Sequence, residues 1–132
     1  MHHLVVPLLV ADVRQAAAFY VAAGLCAADA VALSDEADPR RALLQLAAGP
    51  GLRLQRCDDP AVLRYLRAQS PQLEIGQADI AALVSRIGTQ LRQGDIVGGN
   101  ATDCYQGPLE YPGGQALFFA DPSGNRLVFM DW

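Results

Sequence analysis

The chain has 132 residues, 52% of them hydrophobic and 18% charged, a balance that excludes a disordered chain and suits one folded domain with a real core. Its net charge of -4 and pI near 4.9 set a field that repels a phosphate backbone, so no nucleic-acid partner is expected. The three cysteines, Cys26, Cys57 and Cys104, are widely spaced and form no CxxC pair, so reduced thiols in a cytoplasmic protein are expected rather than a structural zinc site.

The first apolar run, Leu4 to Val10, is short and interrupted by Pro7; it reads as a strand from His3 to Val10, not as a signal peptide or membrane span, and no membrane partner is expected. Asp12 is placed to cap a first helix, with Gln15 completing a capping box, Val13, Ala16, Ala17 and Tyr20 on the inner face, and Gly24 at the end. Strands are expected over Leu25 to Ser34, Arg41 to Ala47 and Leu52 to Arg56. They are separated by a polar loop from Ser34 to Arg40 and a turn at Gly49-Pro50-Gly51. Asp58 to Gln69 reads as a linker with a short helix.

The same order then repeats. Gln72 to Ala78 is a strand, and Asp79 caps a second helix whose stripe of Ile80, Leu83, Val84, Ile87 and Leu91 runs toward Gly94, with Gly88 weakening it. Ile96 to Ala101 is read as the next strand and Thr102 to Gly114 as a long loop of the kind that serves as a lid. Ala116 to Ala120 and Asn125 to Met130 form a hairpin around Asp121-Pro122-Ser123-Gly124. The expected fold is α+β: two tandem βαβββ modules, about 1–57 and 72–132 with a linker over 58–71, in one domain. They build a curved, mixed, largely antiparallel sheet around a central cup.

This duplicated order resembles the vicinal oxygen chelate superfamily, which includes glyoxalase I, bleomycin-resistance proteins and extradiol dioxygenases. Two segments carry the resemblance: Ala11-Asp12 through Phe19-Tyr20 to Gly24-Leu25, and Phe118-Phe119-Ala120-Asp121-Pro122-Ser123-Gly124-Asn125. The resemblance implies that metal-dependent members place His, Glu or Gln ligands on the first and last strands of each module. The matching positions here are Val5, Arg53, Gln72 and Val128. Valine has no lone pair and arginine is a permanent cation, so no metal and no cofactor are expected. A displaced site from His3, Gln72 and Glu74 is the alternative.

Strand alternation sends Val5, Pro7 and Leu9 toward the cup, with Arg53 and Gln55, then Gln72, Glu74 and Gly76, then Arg126, Val128 and Met130. Tyr105 and Tyr111 in the long loop can stack on an aromatic ligand, and Cys104 lacks a basic neighbour that would make it a nucleophile. The expected ligand-binding set is therefore Val5, Leu9, Arg53, Gln55, Gln72, Glu74, Tyr105, Tyr111, Val128 and Met130, with no catalytic residue. Such a lining suits a small organic molecule held without metal, as in the bleomycin-resistance branch. The acidic balance favours a cationic compound and Arg53 an anionic or carbonyl group, and both stay open. Two further readings remain: a lyase or dioxygenase-like enzyme using a displaced metal or Glu74 as general base, and a dimeric scaffold with no ligand. The resemblance also implies a homodimer in which two chains complete each cup, and Trp132 at the terminus agrees with a buried interface.

Overall fold

A computed structural model of the protein describes residues 4–69 and 71–132. The first module runs β1 (Val5–Val10), α1 (Val13–Ala22), β2 (Val31–Leu33), β3 (Arg41–Gln45) and β4 (Gly51–Arg56), and α2 (Pro60–Arg67) links it to the second. The second runs β5 (Leu73–Ile75), α3 (Ile80–Arg86), β6 (Cys104–Tyr111), β7 (Gly114–Ala120) and β8 (Arg126–Met130). The sheets have the same strand order, β1-β4-β3-β2 and β5-β8-β7-β6, with the helix-preceding strand parallel to its neighbour and the other pairings antiparallel. The tandem α+β order expected from the sequence is thus present as two four-stranded mixed sheets.

Both helix starts follow from their caps: Asp12 accepts from Gln15 N at 2.9 Å and Asp79 from Ala82 N at 3.0 Å. On α1 the expected inner residues Val13, Ala16, Ala17 and Tyr20 are buried, joined by Phe19. The helix-bearing faces of the two sheets meet in one core, where Leu8, Val10, Leu44, Leu52 and Leu54 of the first share a cluster with Leu117, Phe119, Leu127 and Phe129 of the second. The helices themselves touch at their C-terminal ends, where Gly88 N donates to Ala22 O at 2.8 Å.

Three expectations are corrected. The second helix stops at Arg86 rather than near Gly94, because the chain turns at Ile87 to lay Gly88 against Ala22, where a Cβ would come within 2.7 Å of the carbonyl oxygen. Ile96–Ala101 is not a strand, since Val97-Gly98-Gly99 makes a turn followed by Asn100 at φ 56, with Asp95 accepting from Gly98 N. The loop expected over Thr102 to Gly114 contains the edge strand β6, and Gly107-Pro108 lies in a register shift that hides it from pattern reading. In addition, Leu25 to Ser34 is strand only at Val31–Leu33, after a 3₁₀ turn at Ala28–Ala30.

The closing motif locks the modules together. Asp121 is fully buried; it accepts from Tyr20 OH at 2.9 Å, from Asn125 Nδ2 at 3.0 Å, and from the backbone amides of Ser123 and Asn125 at 2.9 Å. Asn125 Nδ2 also donates to Leu9 O at 2.8 Å, and Ala11 N donates to Ser123 Oγ at 2.8 Å. Burial pushes the Asp121 carboxyl above the ordinary carboxylate range, against the pull of its hydrogen bonds from Asn125, Tyr20 and Ser123. The folded state therefore holds this proton more tightly than the unfolded chain, so the Asp121 contribution to stability falls as pH rises from about 4 through the raised value and is level above it. Replacing Asp121 by Asn should flatten that part of a denaturation-midpoint profile against pH; an unchanged slope would assign it to other carboxyls.

Candidate functional site

The outer face of the first sheet is open. In β1, Leu8 and Val10 are buried while Val5 is 41% exposed, and in β3 Leu44 is buried while Leu43 is 50% exposed. Strand register aligns Val5 with Gly51, Pro7 with Arg53 and Leu43, and Leu9 with Gln55 and Arg41, and directly paired residues share a face. Two depressions cross this surface. One of about 280 Å³ runs from Ala32 past Leu43 to Arg53, and one of about 380 Å³ lies between Asp38, Arg40 and Gln55; they share Ser34 and Arg41.

The outer face of the second sheet is partly roofed. Glu74, Val128, Phe118 and Gln106 stand in one cross-strand row, and Met130, Ala116 and Leu109 in the next. Residues 93–101 cover the Cys104 end, where Ile96, Cys104 and Ala120 are buried with Ala101 and Phe118 packed against them. Gln106 fixes this strap by accepting from Ile96 N at 2.8 Å and Val97 N at 2.9 Å, and the Gln93 side chain bonds Gly107 in both directions. At the other end lies an aromatic trio. Tyr111 is 6.4 Å from Phe118 and 6.1 Å from Trp132, ring centre to ring centre, and Gly113 lies under the indole, where a Cβ would sit 3.0 Å from Cδ2. Trp132 is 46% and Tyr111 38% exposed, so the trio is open to a ligand at a site built from strand residues.

The residues expected to line one cup are divided between these two faces. Val5, Leu9, Arg53 and Gln55 belong to the first sheet, and Glu74, Tyr111, Val128 and Met130 to the second. Arg53 and Glu74 do not pair: among the described residues the ion pairs are those of Arg56 with Asp38 at 2.9 Å and with Asp58 at 3.4 Å. Gln72 is committed elsewhere, its Oε1 accepting from Arg126 N at 2.6 Å and its Nε2 donating to Leu66 O at 3.1 Å, which ties the linker helix to β8. Tyr105 lies on the core side of β6, opposite Phe119 with rings 6.4 Å apart, because Gln106 takes the outer face. Pattern reading missed Arg41, Leu43 and Phe118; the alternation of Arg41 and Leu43 with buried Ala42 and Leu44 was the available signal.

His3 of the displaced metal set lies outside the described residues. Among the described residues, no group of three or more His, Cys, Asp or Glu side chains is placed to hold a metal ion. Cys26 and Cys104 are buried free thiols whose pKa values are raised by that burial first; Asp29 and Asp103 add to the rise, and a backbone hydrogen bond opposes it at Cys26. Half-buried Cys57 should therefore react first with a thiol reagent such as Ellman's reagent, with the other two reacting mainly on unfolding. Three equally fast thiols would contradict this packing.

The order of elements, the shared strand order and the paired caps define the tandem βαβββ fold of the glyoxalase and bleomycin-resistance group. Three solved structures with this fold align over nearly the whole chain. The bleomycin-binding protein of Streptomyces verticillus, complexed with copper(II)-bleomycin, has a TM-score of 0.66 at 19% identity, covering 100% of this chain and 97% of its own. A bleomycin resistance determinant encoded on the transposon Tn5 has 0.62 at 18%, covering 98% and 96%. TnmS3, an antibiotic-binding protein from Streptomyces sp. CB03234, has 0.53 at 19%, covering 98% and 93%. No protein-family model matches the sequence, and no curated relative matches it. Among the described residues, no helix is long and apolar enough to cross a membrane.

Proposed function

We propose that this protein binds a small organic molecule, of the antibiotic class held by its structural neighbours, on the outer faces of its two sheets and without a metal ion. The observation that carries this reading is the exposure of large apolar and aromatic side chains on sheet faces, Val5 and Leu43 on one and Tyr111 and Trp132 on the other. Exposed aromatic surface beside a few polar groups favours a ligand with an aromatic body. The donor set supports the absence of a metal role: Val5 and Val128 offer no lone pair, and Arg53 repels a cation. The neighbours bind bleomycin or other antibiotics by their own descriptions, which agrees with sequestration as the biological use.

The homodimer belongs to the same proposal. Because the inner faces of both sheets meet in one core, their outer faces turn away from each other, and a single chain does not close a cup around a ligand. A two-fold-related second copy can lay its second-sheet face opposite the first-sheet face of this chain, and symmetry then makes two equal cups. The ligand would touch Val5, Leu9, Arg53 and Gln55 of one chain and Glu74, Tyr111 and Met130 of the other, with Val128 buried beneath them. Sedimentation should give a dimer.

Calorimetric titration with 1-anilinonaphthalene-8-sulfonate, an aromatic organic anion, in EDTA tests the binding reading. Saturable binding with a Kd of about 1 μM or below is expected. The Trp132→Ala variant should bind about tenfold more weakly, from loss of one stacking surface. Binding that appears only after a divalent cation is restored would reverse the metal-free reading.

A further inference from the structure

The outer face of the first sheet holds two neighbouring positive charges that, among the described residues, take part in no ion pair. Arg53 stands directly opposite Leu43, and Arg41 directly opposite Gln55, so the two arginines are diagonal neighbours on one face with Leu43 beside both. Diagonal positions on an antiparallel pair lie about 7–8 Å apart at Cα, within reach of long side chains. Neither arginine takes part in an ion pair among the described residues, and Asp38 and Asp58 are both held by Arg56. The Asp35 side chain is turned to the backbone amide of Ala37, at 2.9 Å.

Among the described residues, Arg41 and Arg53 are the only charged ones lining the depression of about 280 Å³, and its floor is apolar, from Ala32 and Leu43. The adjoining depression contains Asp35 and Asp38, which places an anion on the Leu43 side. Directly opposite like charges on a strand pair are unfavourable, and on the diagonal two long arginine side chains come close enough to share one counter-ion. Guanidinium groups are built to do so by gripping a planar oxyanion with paired N–H donors.

We infer that this depression is an anion subsite, in which Arg41 and Arg53 hold a carboxylate or sulfonate of the ligand while its apolar body lies on Leu43 and Ala32. The inference rests on the proposed role of the outer faces and adds to it the chemical class of ligand: an organic anion with an apolar or aromatic body. The overall charge of -4 does not oppose this, because the local field at the depression is set by the two guanidinium groups nearest the ligand.

Two fluorescent probes of similar shape separate the alternatives: 1-anilinonaphthalene-8-sulfonate, which carries a sulfonate, and N-phenyl-1-naphthylamine, which does not. The folded wild-type protein should bind the sulfonate at least tenfold more tightly, and salt should weaken only that probe. The Arg41→Gln/Arg53→Gln double variant, exposed on a strand face and so expected to fold, should lose that tenfold preference and bind the neutral probe within about twofold of wild type. Equal sulfonate binding by variant and wild type, with the neutral probe also bound, would overturn the anion subsite and leave the small-molecule reading standing. Failure of both probes to bind would overturn both. A double variant that turns from dimer to monomer in sedimentation, with the probe ratio unchanged, would assign the arginines to a second copy's carboxylates and also overturn the inference.

Discussion

Asp121→Ala is expected to lower stability by about 3–5 kcal/mol, a fall in Tm of about 10–20 °C for a chain of this size. The substitution removes one buried carboxylate and leaves four donors short of an acceptor: Tyr20 OH, Asn125 Nδ2 and the amides of Ser123 and Asn125. Two of these are backbone amides that hold the turn between β7 and β8, so the hairpin and its seat on the first module loosen together. Tyr20→Phe removes one of the bonds and should cost about 1.5–3 kcal/mol, the range for a hydrogen bond to a charged group. If the residues act as one network, Tyr20→Phe and Asp121→Asn should cost less together than the sum of their single effects, by about 1 kcal/mol or more in a double-mutant cycle. Additive losses in urea denaturation would show that Asp121 and Tyr20 contribute independently.

Gly24→Ala should cost about 3 kcal/mol or more through a different cause. Gly24 has φ +74, a left-handed backbone that an alanine adopts only with strain. A Cβ there would also lie 2.2 Å from Arg86 O, which is backbone of the second module's helix and not a flexible side-chain end. The helix ends of the two modules would have to separate to accept one methyl group. Gly51→Ala is the matched control: its Cβ would meet nothing closer than Val5 Cγ2 at 3.5 Å, so a change within about 0.5 kcal/mol is expected in the same urea experiment. Equal effects at Gly24 and Gly51 would contradict the close approach of the helices.

These two sites also mark where pattern reading ends. Asp12 and Asp79 were legible as helix caps because capping is local, requiring only an acceptor within reach of the next few amides. Asp121-Pro122-Ser123-Gly124 was legible as a turn for the same reason. Its main partner, Tyr20, lies 101 positions away, and no local preference announces such a bond. Gly88 read as a weak point inside a helix, whereas it is the point where the chain leaves the helix to meet Ala22. Ile96-Val97 looked like a strand because it is apolar, but the glycines after it bend the chain into a strap, and β6 was hidden by Gly107-Pro108.

For the site, the period of two separated outer from inner residues on β1 and β4, since every second residue must face the core, whereas on β8 Val128 is buried along with Leu127 and Phe129. It carries no information on how one sheet faces another, so residues of two separate faces read as one lining. Gln72 and Tyr105 were misplaced by smaller causes: Gln72 bonds the β8 backbone at the start of its strand, and Tyr105 sits on a strand read as loop.

The central claim is that organic ligand, not metal, occupies the outer faces of both sheets. Amide chemical-shift mapping by NMR, with 1-anilinonaphthalene-8-sulfonate titrated into the protein in EDTA, tests it most directly. Shifts concentrated at Leu43 and Arg53 on the first sheet and at Val128, Met130 and Trp132 on the second are predicted. Shifts confined to one of the two faces, or none until a divalent cation is added, would contradict it.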